Sequence, residues 1–178
     1  MVSMFILLLN PTKCSKIGYM NIKILCVGKI KEKFYTQAID EYLKRLSKYC
    51  SVKVIEVADE KTSENASDTE ISIIKNKEGE RLLKQINDKD FVIGLAILGK
   101  QLDSVEFSKY IENLGIQGNS SIAFVIGGSL GLADEVLNRC QFQISFSKMT
   151  FPHQLMRVVL LEQIYRAMRI MKNEPYHK

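Results

Sequence analysis

Both histidines of this 178-residue chain, His153 and His177, fall in its C-terminal segment, each beside groups able to handle a polar ligand. His153 ends the run Ser145-Phe146-Ser147-Lys148-Met149-Thr150-Phe151-Pro152, which mixes hydroxyls, a lysine and aromatic rings. An imidazole can take or give a proton near neutral pH. As a lone residue in the first turn of a helix, His153 reads first as a structural hydrogen-bonding group. The positive helix end would favour its neutral form there. His177 lies in the terminal Glu174-Pro175-Tyr176-His177-Lys178, and a terminal segment taken alone frays and carries little. The third such stretch is Gly127-Gly128-Ser129-Leu130-Gly131. Three glycines so close together permit positive φ and close approach of a ligand to the backbone. A tight strand-to-helix turn accounts for them equally well.

Familiar sites are largely excluded. No Gly-x-x-x-x-Gly-Lys-Ser/Thr occurs, so there is no P-loop. The first strand runs into a lone Gly28, not the Gly-x-Gly-x-x-Gly of a dinucleotide fold. A Gly-x-Ser-x-Gly nucleophile elbow is also missing. Cys14, Cys26, Cys50 and Cys140 lie far apart with no Cys-x-x-Cys pair, so no metal site is expected. Cys26 and Cys50 belong to apolar runs, where a reduced thiol acts as a small hydrophobe, in keeping with a cytoplasmic protein.

The elements that must hold these stretches alternate regularly from Met20 onward. Ile22–Val27, Val52–Val57, Phe91–Ile97, Ser121–Ile126 and Phe142–Phe146 are short apolar runs that read as strands. Between them, Ile39, Tyr42, Leu43 and Leu46 repeat at helical spacing within 34–48. Ser67 with Glu70 forms a capping box opening a helix to about Asn87, and Asp103 with Glu106 forms another for 104–114. A short helix is expected at Asp134–Arg139. The last helix begins at Pro152, a residue suited to the first helical position, and runs to about Lys172. Its apolar stripe is Leu160, Ile164, Ala167, Met168 and Met171, read as core or dimer interface, with Glu162 and Arg166 paired on another side. Strands separated by helices predict an α/β fold with a largely parallel sheet, in which ligands bind beyond the carboxyl ends of the strands.

Bulk properties set further bounds. At 46% hydrophobic residues, one domain of this size buries roughly 70% of its unfolded surface without a disulfide or metal. A net charge of +5 is compatible with a polyanionic partner and modest for one. Residues 1–19 read as an appendage to a domain spanning 20–178. Their apolar run Phe5–Leu9 stops at Asn10-Pro11, far short of the roughly 20 residues that span a bilayer, so no membrane association is expected.

Taken together, Gly-Gly-Ser-x-Gly, then Ser-Phe-Ser-Lys-Met-Thr-Phe-Pro-His-Gln-x-Met-Arg-Val, then Tyr-Arg-Ala and the final Pro-Tyr-His-Lys resemble the ribosomal large-subunit methyltransferase H family, part of the SPOUT superfamily. The resemblance covers Met20 to Lys178, including Val27-Gly28-Lys29 and Lys77-Glu78-Gly79. It implies an α/β SPOUT fold whose C-terminal chain forms a trefoil knot, and a homodimer in which two subunits complete each site. It also implies an S-adenosyl-L-methionine cofactor and methylation of a pseudouridine at N3 in the large-subunit RNA of the assembled ribosome. Carried across, the cofactor contacts fall on Leu95, Gly127, Phe146, Ser147, Lys148, Met149, Thr150 and Phe151, at the carboxyl ends of the third, fourth and fifth expected strands. Ala96 stands where family members often carry an acid, and Leu130 where a more polar residue is common.

The same resemblance brings the C-terminal tail near the cofactor. His177 is then expected to take or relay the N3 proton, and Tyr176 to position the base or its phosphate, with Arg166 beside them. Arg157, Arg166 and Arg169 on the last helix, and Lys29, Lys31 and Lys33 after the first strand, are candidates for RNA phosphate contact. Other readings are a SPOUT module that binds RNA without catalysis and a SPOUT enzyme acting on transfer RNA.

Overall fold

The computed structural model describes residues 19–63 and 65–176. His177, Lys178 and all of the expected appendage except Tyr19 lie outside the described residues.

The chain runs β1 (Met20–Val27), α1 (Lys33–Leu46), β2 (Cys50–Val57), α2 (Asp68–Leu83), β3 (Phe91–Gln101), α3 (Ser104–Ile116), β4 (Ser121–Ile126), α4 (Asp134–Arg139), β5 (Phe142–Ser145) and α5 (His153–Met171). The five strands form one sheet in the order β2-β1-β4-β3-β5, and every pairing is parallel. Side chains alternate across a strand, so the apolar runs of β1 and β4 feed two cores at once. Ile22, Ile24, Cys26, Ile122, Phe124 and Ile126 face the larger core, with Leu160, Leu161, Ile164 and Ala167 of α5. Leu25, Val27, Ala123 and Val125 face the smaller one, with Leu82 of α2 and Val136 of α4. A sheet covered on both faces needs such unbroken apolar strands.

Local signals operate as expected at two helix starts. Ser67 and Glu70 cap α2 reciprocally, and Asp103 and Glu106 do the same for α3. The stripe of α5 is core: Leu160, Ile164, Ala167 and Met168 are buried. Cys26 and Cys50 are buried too, and burial pushes each thiol up to about 12.

Several boundaries differ from the sequence expectation, among them those of α5, α2 and β3. Pro152 is the N-cap, with ψ 131°, so α5 starts one residue later at His153. Helix α2 stops at Leu83, because the next turn is drawn toward Asp90. That buried carboxylate accepts from Asn87 N (2.8 Å), Ser121 Oγ (2.6 Å) and Lys23 Nζ (2.7 Å), tying β1, β3 and β4 at their amino ends. Strand β3 does not stop at Gly99. Leu95 and Lys100 both pair with Ile144, so residues 96–99 stand out of the ladder before pairing resumes. Gly99 makes this possible, since a Cβ there would lie 2.6 Å from the carbonyl carbon of Ile144.

Candidate active site

A cavity of about 510 Å³ opens at the carboxyl ends of β3, β4 and β5. Leu95, Ala96 and Ile97 form one wall as β3 leaves its ladder. The second wall is the glycine loop after β4. Gly131 takes φ 83°, and Gly128 and Gly131 bridge each other across the turn. A Cβ on Gly127 would sit 2.6 Å from the backbone of Gly131. The same compact backbone therefore makes the turn and lines the cavity.

The third wall is the segment after β5, where Phe146, Ser147, Met149, Thr150, Phe151 and Pro152 all face the cavity. Hydroxyls shape this segment locally. Ser145 Oγ donates to the carbonyl of Ser147 (3.0 Å), and Ser147 Oγ accepts from Met149 N (2.9 Å). Of the expected cofactor residues, Leu95, Gly127, Phe146, Ser147, Met149, Thr150 and Phe151 are brought together here. Lys148 shares the segment but is exposed and does not line the cavity.

His153 also lines the cavity and is half-buried. Burial first, and then the charge of Arg157, holds its imidazole below the usual histidine value, while Asp59 opposes the shift. An imidazole neutral at pH 7 is a proton acceptor. The direction agrees with the sequence expectation of a disfavoured protonated form.

The basic residues part company. Arg157 is a correction to the phosphate-contact expectation: it is 0% exposed. Its Nη2 donates to the carbonyls of Val27 (2.7 Å) and Gly28 (2.8 Å), and its Nη1 to Glu56 Oε1 (2.7 Å). The guanidinium thus caps the end of β1, and no RNA phosphate can reach it. One carboxylate oxygen of Glu56 also accepts from Ile30 N, and Gln154 Oε1 accepts from Lys31 N (3.0 Å). Together these bonds fix the turn after Gly28, on which Lys29 and Lys31 are exposed, as is Lys33 at the start of α1.

Arg166 and Tyr176 meet away from the cavity walls. Arg166 Nη2 bonds Glu162 Oε1 at 2.8 Å, and its guanidinium lies 4.7 Å from the centre of the Tyr176 ring. The Tyr176 hydroxyl donates to Glu162 Oε1 (3.2 Å), and burial followed by the Glu162 charge pushes its pKa up to about 12. Arg169 is engaged with Tyr49, Glu174 and the carbonyl of Pro175. None of these three residues borders the cavity. On sequence His153 reads as a structural group, because a single histidine has no local partner to mark it; its place in the cavity wall follows from the fold.

Residues 20–177 match the family model described as predicted SPOUT methyltransferase. The chain belongs to the SPOUT methyltransferase family. This methyltransferase is 65% identical over 159 residues to the ribosomal RNA large subunit methyltransferase H of Clostridium botulinum (strain Kyoto / Type A2), a match covering 89% of this chain and all of that one. The protein of the same description from Clostridium kluyveri is 59% identical over the same length. Among solved structures, a probable methyltransferase from Bordetella pertussis Tohama I aligns with 84% of this chain and 96% of its own, with a TM-score of 0.53 and 11% identity. That likeness is one of fold. Among the described residues no helix is long and apolar enough to cross a membrane, and no cluster of histidine, cysteine, aspartate and glutamate could hold a metal ion.

Proposed function

We propose that this methyltransferase acts as a cytoplasmic homodimer on large-subunit ribosomal RNA, methylating N3 of a pseudouridine in the assembled ribosome with S-adenosyl-L-methionine. The observation that carries the reading is the cavity at the strand ends, walled by the residues expected to hold the cofactor and bordered by a neutral histidine. Its volume suits a ligand of the cofactor's size, and its lining is largely apolar with a few polar groups, as in most small-molecule sites. Backbone groups of Gly127, Ser147 and Met149 would hold the adenosine, with Leu95 and Phe151 as apolar walls. When bound, S-adenosyl-L-methionine supplies a methyl group already activated on a sulfonium.

What the chain must add is alignment, exclusion of water and removal of the N3 proton. Two imidazoles can take that proton. His177 belongs to the tail and remains the acceptor expected from the family resemblance. The placement of His153 in the cavity wall favours it as the second candidate. Tyr176 and Arg166 lie outside their own subunit's cavity, so they serve a site completed by the partner. Exposed apolar groups beside the cavity support such pairing: Leu98 is 98% and Met149 72% exposed, with Ile97 and Phe151 close in sequence and also exposed. Lys29, Lys31 and Lys33, exposed after β1, are the candidates for phosphate contact, so affinity for the ribosome falls as salt rises.

The test uses protein, radiolabelled S-adenosyl-L-methionine and ribosomes lacking the methyl group. Label mapped to a large-subunit pseudouridine supports the reading. The true proton acceptor is identified by the alanine variant, His177→Ala or His153→Ala, whose turnover falls by roughly 10²–10⁴ with cofactor affinity retained. Cofactor binding without label in any RNA would favour a non-catalytic ribosome-binding module, and label in transfer RNA would redirect the substrate.

A further inference from the structure

The end of the chain is held by more polar contacts than a terminal segment needs. After α5, Asn173 takes φ 52°, the left-handed conformation that reverses a chain at a helix end. Asn173 N then bonds the carbonyl of Ile170 (3.0 Å) and Glu174 N that of Arg169 (2.9 Å). The reversal sends the tail back along α5, where Tyr176 meets Glu162 and stands edge-on to Tyr165 at 5.0 Å.

Three side chains from distant parts of the sequence clamp the turn. Tyr49, between α1 and β2, donates its hydroxyl to Glu174 Oε2 (2.5 Å). Arg169 pairs with the same carboxylate, donates from Nη1 to the Tyr49 hydroxyl (3.1 Å) and from Nη2 to the carbonyl of Pro175 (3.1 Å). Each member therefore touches both others. Arg169 is thereby occupied in a way that the phosphate-contact expectation did not foresee.

Terminal residues ordinarily fray, because ordering them costs conformational entropy that few contacts offset. Here the contacts hold the one segment that leads into Tyr176 and His177. We propose that Tyr49, Arg169 and Glu174 form a latch of positioning residues that aims the C-terminal tail at the methylation site. The inference rests on the reading that this tail works in catalysis. None of the three latch residues lines the cavity; the latch acts through the direction of the segment that follows it.

The experiment compares the full-length dimer with Tyr49→Phe, Glu174→Gln and the double variant, and separately with Tyr176→Ala. Backbone amide exchange across residues 173–178 reads the latch directly. Isothermal titration with S-adenosyl-L-methionine reads the cofactor site, and single-turnover methylation of unmethylated ribosomes reads the chemistry. A thermal melt of each variant accompanies these measurements, and Glu174→Gln, near the end of the chain, keeps the test open should Tyr49→Phe lose stability.

The expected result is faster tail exchange, cofactor affinity within about twofold of the parent, and turnover lower by roughly tenfold or more, since small misplacements of reacting groups are costly in rate. The double variant should be no slower than the worse single one, as for groups acting as a unit. Unchanged exchange would mean there is no latch. Faster exchange with unchanged turnover overturns the proposal while leaving the tail's role intact, provided Tyr176→Ala is slow. If Tyr176→Ala is also fully active, the tail reading fails, and the proposal with it.

Discussion

Replacing Arg157 by methionine keeps much of its length and removes its charge. The substitution leaves the carbonyls of Val27 and Gly28 without their buried donor, and Glu56 without its cation. Each carbonyl so abandoned costs about 1–3 kcal/mol. Glu56 is 31% exposed, so its carboxylate regains water and adds less than a fully buried partner would. Methionine packing returns part of the loss. The net prediction is a destabilisation of about 3 kcal/mol, in the lower part of the range for breaking a buried pair. Lysine at the same position should recover only part of it, because one ammonium cannot reproduce the planar fork that reaches two carbonyls and a carboxylate. Urea unfolding followed by circular dichroism would measure both variants. A loss below about 1 kcal/mol for Arg157→Met would refute the reasoning, for it would mean that water reaches the end of β1 in the native protein.

Three more outcomes are expected. Asp90→Asn should destabilise by about 2–3 kcal/mol at neutral pH, as it removes one partner of a buried pair. Burial alone would raise the Asp90 carboxyl, but Lys23, Ser121 and Asn87 together hold it below the usual range. Its contribution is therefore present above the unfolded carboxyl value and lost as pH falls through the folded one; urea midpoints between pH 2 and 7 should show a shallower acid limb in the variant. Gly127→Val places a side chain where the Gly131 backbone already lies, so the loop must move, and titration calorimetry should find S-adenosyl-L-methionine binding lost while the far-ultraviolet spectrum stays native. If His153 is the proton acceptor, the acid limb of single-turnover methylation lies below the ordinary histidine value of about 6.5, since burial and Arg157 lower it. A limb at or above 6.5, or one that persists in His153→Gln, would assign the proton elsewhere.

The sequence by itself determined the elements and their order, because those signals are local. Alternating or unbroken apolar runs marked every strand, and the Ser67 and Asp103 capping boxes marked two helix starts within a residue. It also marked two of the three stretches whose residues wall the cavity, the Gly127–Gly131 loop and the run after β5, since glycine clusters and hydroxyl-rich turns are written in consecutive residues. Tertiary structure decided what depends on partners far along the chain. The register shift of β3 exists because Gly99 can lie against Ile144. Arg157 looked like a surface cation on a helix until Val27 and Gly28, some 130 residues earlier, surrounded it. His153 joined the cavity wall only through the fold, where burial and that same arginine lower its pKa. The tail's direction likewise follows from Tyr49, over 120 residues away. Side-chain periodicity encodes which face of an element is apolar. It does not encode which distant carbonyl will meet a given cation, and in this protein that meeting separates a structural arginine from one that could bind RNA.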